Sequence, residues 1–310
     1  MDVIESMESR KISRFFRARR KFYAPNLVYH ITQRAAGKEP LFLENDDYME
    51  MLALMKEICT SHNIRIHAFC LMPNHVHLLL SPTEKNLPKA MQRLFSIYAM
   101  RFNRKYERKG HLFAGPYRQA VCLDDSYLLA ASLYIHLNPL RAGIVKDPVK
   151  YRWSSIGLYI RAPKKESFVD AELILSLVSS KNERDMIEAR REYVRLLRRG
   201  AEIRSKEVME VGDAIEKFLA RLKKKVPMLF EVISKKRKIP EVLGYELAGL
   251  EEIEDMIKKV RKNVGIRDPE AREAKRYIIE QLLARGFKRG EIAQKLGISR
   301  KTVYNLLRSC

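Results

Sequence analysis

The chain has 310 residues, 60 Lys and Arg against 38 Asp and Glu, and a formal net charge of +22. That length supports a sizeable core and more than one domain, and the charge excess points to nucleic acid first and an anionic membrane surface second. Its apolar runs fall short of the roughly 18 residues of a membrane span, so a membrane would have to be met peripherally; the scattered Cys59, Cys70, Cys122 and Cys310 form neither a disulfide framework nor a C-x-x-C zinc pattern.

Residues 1–21, MDVIESMESRKISRFFRARRK, lack a signal peptide's apolar core, and a cytoplasmic protein is expected. They read as a basic arm whose Arg17, Arg19 and Arg20 would meet phosphates. NLVYHITQR (26–34) reads as a strand and NDDYMEMLALMKEICTSH as a helix with an acidic start and an apolar stripe at Met51, Leu54, Met55 and Ile58. IRIHAFCLM and HVHLLL are two strands broken at Pro73–Asn74. LPKAMQRLFSIYAMRFNRKY is a second helix and YRQAVCL a short strand. The order β-α-β-β-α-β is that of the ferredoxin-like fold, an α+β arrangement with helices on one face of an antiparallel sheet. DDSYLLAASLYIHLN then starts at an Asp/Ser cap and is expected to stop before Pro139.

The division expected is an arm at 1–21, a first domain at 22–160, a helical middle at 161–265 and a last domain at 266–310. In the middle, Val208, Val211, Ile215, Phe218 and Leu222 form the stripe of a small bundle rather than a coiled coil, since it lasts only about two heptads. At the end, RGEIAQKLGISRKTVYNLLR fits a helix-turn-helix. Ile292, Ala293 and Leu296 pack one helix, Gly297 supplies the turn, and Ile298, Val303 and Leu306 anchor the second. Residues 271–310 carry ten Lys and Arg against three Glu, which suits a phosphate-facing surface; Ser299, Arg300, Lys301, Thr302 and Asn305 begin the recognition helix of a duplex reader. A helical pair of unrelated use is the alternative.

The groups suited to chemistry lie early: all seven histidines fall within the first 136 residues. His75 and His77 are two apart on a strand and share a face, with Val76, Leu78 and Leu80 on the other. They are either core histidines or an open site for a divalent cation that needs a further ligand from elsewhere, without a nearby cysteine to make a closed zinc site. A tyrosine could serve as nucleophile there. A phenol of pKa about 10 is only roughly a thousandth ionised at neutral pH, so it needs a cation to stabilise the phosphate charge and leaving oxygen. In YIHLNP, Tyr134 and Asn138 are four apart on one helical face, whereas His136 points nearly the opposite way. Tyr127 lies on Tyr134's face, and spacing alone leaves both as core aromatics.

FYAPNLVYHITQR, HAFCLMPNHVHLLL, YIHLNPLRAGIV and YRWSSIGLY occur in an order and spacing that resemble the single-tyrosine HUH transposases, particularly the REP-associated tyrosine transposases, over residues 22–158. The resemblance implies that His75 and His77 are metal ligands, that Tyr134 is the nucleophile and that Asn138 stands where the family places a polar third ligand, often Gln. It implies Mg²⁺ or Mn²⁺ as cofactor, and cleavage and rejoining of single-stranded DNA beside a hairpin. The products are a 5′-phosphotyrosine and a free 3′-OH, and the protein acts as a monomer or homodimer. The departure is the C-terminal half, which minimal members lack and whose helix-turn-helix adds duplex DNA as a partner. Two other readings remain: an HUH replication initiator or relaxase, against which the missing helicase-type phosphate loop counts, and a non-catalytic DNA-binding regulator that keeps the nuclease scaffold.

Overall fold

The computed structural model describes residues 15–16, 23–37, 39–122, 124–162, 167–179, 186–203, 214–235, 243–245, 248–262, 268–285 and 287–308. Arg17, Arg19, Arg20, Val208 and Val211 lie outside these described residues. The expected order is present as β2 (Val28–Arg34), α1 (Asn45–Ser61), β3 (Ile64–Met72), β4 (His75–Pro82), α2 (Leu87–Lys105) and β5 (Arg118–Cys122), with a two-residue β1 (Phe15–Phe16) paired to β5. The sheet runs β1-β5-β2-β4-β3 and every pairing is antiparallel.

Residues opposite one another in an antiparallel pair share a face. Thr32 lies across from His77 and Arg34 from His75, while on the other side of β4 Cys70 faces His77 and Met72 faces His75. One face therefore carries His30, Thr32, Arg34, His75 and His77; the other carries Ile31, Gln33, Val76 and Leu78. The helices α1 and α2 pack on each other and cover the second face, where Gln33 lines a cavity with Met91 and Phe95 of α2. Every residue of β4 is buried, so the histidine face is covered as well. Its cover is α3 (Asp125–Arg141), which packs against β3, β4 and β5.

The Asp124 carboxylate caps α3 by accepting from the Tyr127 N–H at 2.7 Å. The helix does not stop before Pro139 as expected; it runs through it to Arg141. Pro139 lacks only the N–H that would meet Ile135, and it sits in the last turn, which closes through Ala142 N–H to the Asn138 carbonyl and Ile144 N–H to the Pro139 carbonyl, both 2.9 Å. Every residue from Asp125 to Pro139 is buried, because α6 (Met186–Ala201) and α7 (Ala214–Lys225) cover the side that the sheet does not. Two short helices, α4 (Ile156–Ile160) and α5 (Glu172–Leu175), precede α6, and α8 (Pro227–Lys235) follows α7. The fit is tight at Gly200, where an added Cβ would lie 2.8 Å from Leu137 and 3.1 Å from Phe218. Of the expected middle stripe, Ile215, Phe218 and Leu222 are buried.

Residues 15–245 form one compact unit, and residues 246–310 belong to another. The boundary expected at residue 160 thus falls inside the first unit, since α6 and α7 pack on α3. The second contains α9 (Leu250–Lys262), α10 (Pro269–Ala284), α11 (Arg289–Leu296) and α12 (Arg300–Arg308), with α12 packed on α10 and α11. Among the described residues no helix is long and apolar enough to cross a membrane.

One buried carboxylate ties the start of α1 to the end of α2. Asp47 accepts from the Leu43 and Glu44 N–H groups at 2.8 and 3.1 Å, from Lys105 at 2.8 Å and from the Tyr106 hydroxyl at 2.8 Å. Burial raises its pKa, but Lys105, the two backbone donors and Tyr106 together hold it below the usual carboxylate range. Asp47→Ala should cost about 2 kcal/mol by leaving buried donors unsatisfied. A depressed folded-state pKa means that the contribution is complete above the unfolded value near about 4 and lost as pH falls through the folded one. Urea unfolding at neutral pH and at pH 3 should show the gap between wild type and Asp47→Ala shrinking in acid.

Candidate functional site

His75 and His77 begin β4 with their rings 4.9 Å apart at 89°, 7% and 1% exposed. Each is held through Nδ1. Asn74 Oδ1 accepts from His75 Nδ1–H at 2.7 Å; His77 Nδ1 lies 3.0 Å from His30 Nε2 and 3.2 Å from Thr32 Oγ1. A proton on each Nδ1 leaves a lone pair on each Nε2, and both Nε2 atoms are buried without a hydrogen-bond partner. Burial drives His30 and His75 down to about 4, aided at His75 by Arg34. Burial, then the charges of His75, His30 and Arg34, drives His77 well below its ordinary value. The imidazoles are therefore neutral at physiological pH, the state in which they bind cations.

The supporting residues His30, Thr32 and Arg34 were not anticipated as part of the site. Their signal is the alternation in VYHITQR, where polar residues at 30, 32 and 34 interleave with Tyr29 and Ile31 as His75 and His77 interleave with Val76 and Leu78. The expectation that no cysteine lies near the pair is corrected: the β3–β4 register puts Cys70 opposite His77. Burial pushes the Cys70 thiol far up, so it remains protonated.

Asn138 is fully buried on α3, the helix over this face, and both its amide atoms lack partners. Tyr134, one turn earlier and 3% exposed, has its ring edge-on to Phe218 of α7 at 6.0 Å and under the Arg141 guanidinium at 4.8 Å. His136 is fully occupied, Nδ1 with Tyr193 and Nε2 with Ser155, both at 2.8 Å, which removes it as a ligand. The structure thus pairs His75 with His77 through shared supports, sets Tyr134 and Asn138 on successive turns of the covering helix, and directs Tyr134's ring against α7. Among the described residues no group of three or more His, Cys, Asp or Glu side chains is arranged to hold a metal. The two imidazole nitrogens and the Asn138 amide oxygen are each buried acceptors without a hydrogen-bond partner among the described residues, and N and O donors of this kind suit a divalent cation.

The second unit ends in two helices joined at Gly297, whose φ of +64° is the left-handed turn that glycine allows. Ile292, Ala293, Leu296, Val303 and Leu306 are buried as expected, and Ile298 is half-buried. Ser299 caps α12, its Oγ accepting from the Thr302 N–H at 3.0 Å and meeting Thr302 Oγ1 at 2.9 Å. Arg300 lies over Gly290, where an added Cβ would meet its Nη2 at 2.6 Å. Lys301 and Asn305 are exposed.

Residues 23–138 match the family described as "Transposase IS200 like", and residues 270–309 match the "Homeodomain-like domain". The chain carries an IS200-like transposase domain and ends in a homeodomain-like helix-turn-helix. A comparison with curated proteins finds no match. Among solved structures the chain is similar to one described as "Structure of the REP associates tyrosine transposase bound to a REP hairpin", with 13% identity, a TM-score of 0.41, and coverage of 49% of this chain and 92% of that chain.

If the Nε2 pair holds a cation, Mn²⁺ should bind wild-type protein, and His75→Ala or His77→Ala should each weaken it by about 10–100-fold or more, a ligand's loss being at least as costly as an outer-shell one. Thr32→Val should weaken binding less. Electron paramagnetic resonance of free Mn²⁺ reads this without any reaction; unchanged affinity in His77→Ala would remove the site.

Proposed function

We propose that the first unit is a metal-dependent tyrosine transposase that cleaves and rejoins single-stranded DNA beside hairpins, with Tyr134 as nucleophile. The observation that carries this reading is the pair of buried, unpaired Nε2 atoms of His75 and His77, each oriented from behind. With Asn138 they would hold Mg²⁺ or Mn²⁺; two imidazole nitrogens in a set of three suit Mn²⁺ the better. When bound, that ion would polarise a phosphate oxygen. His30 and Thr32 fix the His77 ring and Asn74 fixes His75, so the ligand nitrogens need no reorganisation. Tyr134 attacks phosphorus, forming a 5′-phosphotyrosine; the 3′-oxygen leaves and takes up the proton the phenol has lost, so a later attack by a 3′-OH can rejoin strands without nucleotide hydrolysis.

The helix-turn-helix adds duplex recognition. Exposed Lys301 would neutralise phosphate and exposed Asn305 would meet base edges, while Ser299 and Thr302 would serve chiefly to start α12. The basic arm with Arg17, Arg19 and Arg20 would add further phosphate contacts. One observation favours the second reading, a DNA-binding regulator on a nuclease scaffold: Tyr134 is 3% exposed beneath Phe218.

Covalent capture separates the two. With hairpin-bearing single-stranded DNA and Mn²⁺, wild type should form a denaturation-resistant adduct, Tyr134→Phe none, and Tyr127→Phe should retain it. Adduct formation by Tyr134→Phe, or none by wild type, would favour the other assignments. Binding to a duplex-bearing substrate across a salt series tests the second unit. Lys301→Ala should weaken binding evenly across sequences and reduce the salt slope by about 1, whereas Asn305→Ala should relax preference at one or two base pairs.

A further inference from the structure

Arg141 ends α3 seven residues beyond Tyr134, two helical turns away and on the same side. Its guanidinium lies between two rings, 4.8 Å from the centre of Tyr134 and 4.5 Å from that of Phe218. Nε, Nη1 and Nη2 are all buried, and none makes a hydrogen bond of ordinary geometry. Burial disfavours its charge; the Tyr134 phenol favours it, by proximity and through a loose hydrogen bond, and a second cation, Arg221, opposes it. The contrast with other basic groups of this unit is plain: Arg190 donates to the Leu158 carbonyl and Lys105 to the Asp47 carboxylate. A guanidinium carries five donors in a planar fork shaped for carboxylate or phosphate. Desolvated and without a carboxylate or phosphate in its fork it is costly, and a loose contact with one phenol and stacking between two rings recover only part of that cost.

We propose that Arg141 is an anion-binding residue that receives a non-bridging oxygen of the phosphodiester attacked by Tyr134. The proposal rests on the reading of Tyr134 as nucleophile. As the Tyr134 oxygen bonds to phosphorus and the bond to the 3′-oxygen breaks, the phenol proton ends on the departing 3′-OH. The phosphate keeps its negative charge throughout, and Arg141 balances that charge. Phosphate would bind in the plane of the guanidinium fork, at its edge, while the Phe218 ring stays against its face, so α7 lies beside the anion site as well as beside Tyr134.

The test compares Arg141→Met, which keeps a stem between the rings without charge, with Arg141→Lys, which restores charge without the fork. At saturating hairpin DNA and Mn²⁺, single-turnover adduct formation should fall about 100-fold in Arg141→Met, the usual cost of a lost transition-state donor. Arg141→Lys should recover a large part of the rate, while melting of Arg141→Met stays at or above wild type because a desolvated charge has gone. A purely structural brace predicts the reverse: lower melting in Arg141→Met with the rate per folded molecule unchanged, and that result overturns the proposal. A second arm is independent of cleavage. In Tyr134→Phe protein the Arg141 Nε–H resonance, identified by its loss in Arg141→Met, should shift on titration with inorganic phosphate. A resonance that stays fixed to saturation overturns the anion site, whereas a shift without any wild-type adduct would leave the site standing and sink the reading of Tyr134.

Discussion

The antiparallel register between β2 and β4 is the constraint on which the site depends. It sets Thr32 opposite His77 and Arg34 opposite His75, and it brings His30 Nε2 to 3.0 Å from His77 Nδ1. Because side chains alternate with a period of two, a slip by one residue would turn all of β4 over. Val76 and Leu78 would then meet the covering helix, and the imidazoles would enter the apolar layer under α1 and α2. The hydrophobic alternation that fixes the fold is therefore the same feature that aims the candidate ligands. The supports on β2 follow from it without any additional element.

Several other buried polar side chains of this unit find partners. His67 meets Ser81 at 2.8 Å and the Asp170 carbonyl at 3.3 Å, His136 is shared between Tyr193 and Ser155, and Asp47 accepts four hydrogen bonds. Unmatched atoms also occur at His30 Nδ1 and Asn86 Oδ1, but those on His75, His77, Asn138 and Arg141 fall together on β4 and on α3, the helix that packs over β4's histidine face. Three are acceptors suited to a cation and one is a cation suited to an anion. A phosphodiester with a divalent ion supplies both complements, which is why one ligand chemistry can account for the whole set.

Much of this was legible in the sequence. Period-two alternation and the Pro73–Asn74 break fixed β3 and β4, helical stripes fixed α1 and α2, and the H-x-H spacing put two imidazoles on one face. What eluded sequence reasoning depends on pairing between distant segments. That Cys70 lies across from His77, and that His30 stands behind it, follow only from knowing which strands are neighbours. Pro139 was read as a stop because the local rule is strong. The tertiary context won: a helix buried along its length and closed by Ala142 and Ile144 tolerates one missing donor in its last turn.

The middle region shows the same limit from the other side. Its amphipathic stripes announced buried helices without saying what they would bury. Their object is α3. Tyr193 of α6 hydrogen-bonds His136, Gly200 lets the backbone close on Leu137 and Phe218, and Phe218 of α7 lies against Tyr134 and Arg141. The matched transposase segment ends at residue 138, in the last turn of that helix, so the match omits the elements that cover it. A helix carrying Leu128, Leu129, Leu133, Ile135 and Leu137 around its circumference cannot stand with one side in water. The helices after residue 160 are thus part of the fold that buries Tyr134, and under the proposed function any exposure of that phenol involves α7, whose Phe218 lies against it.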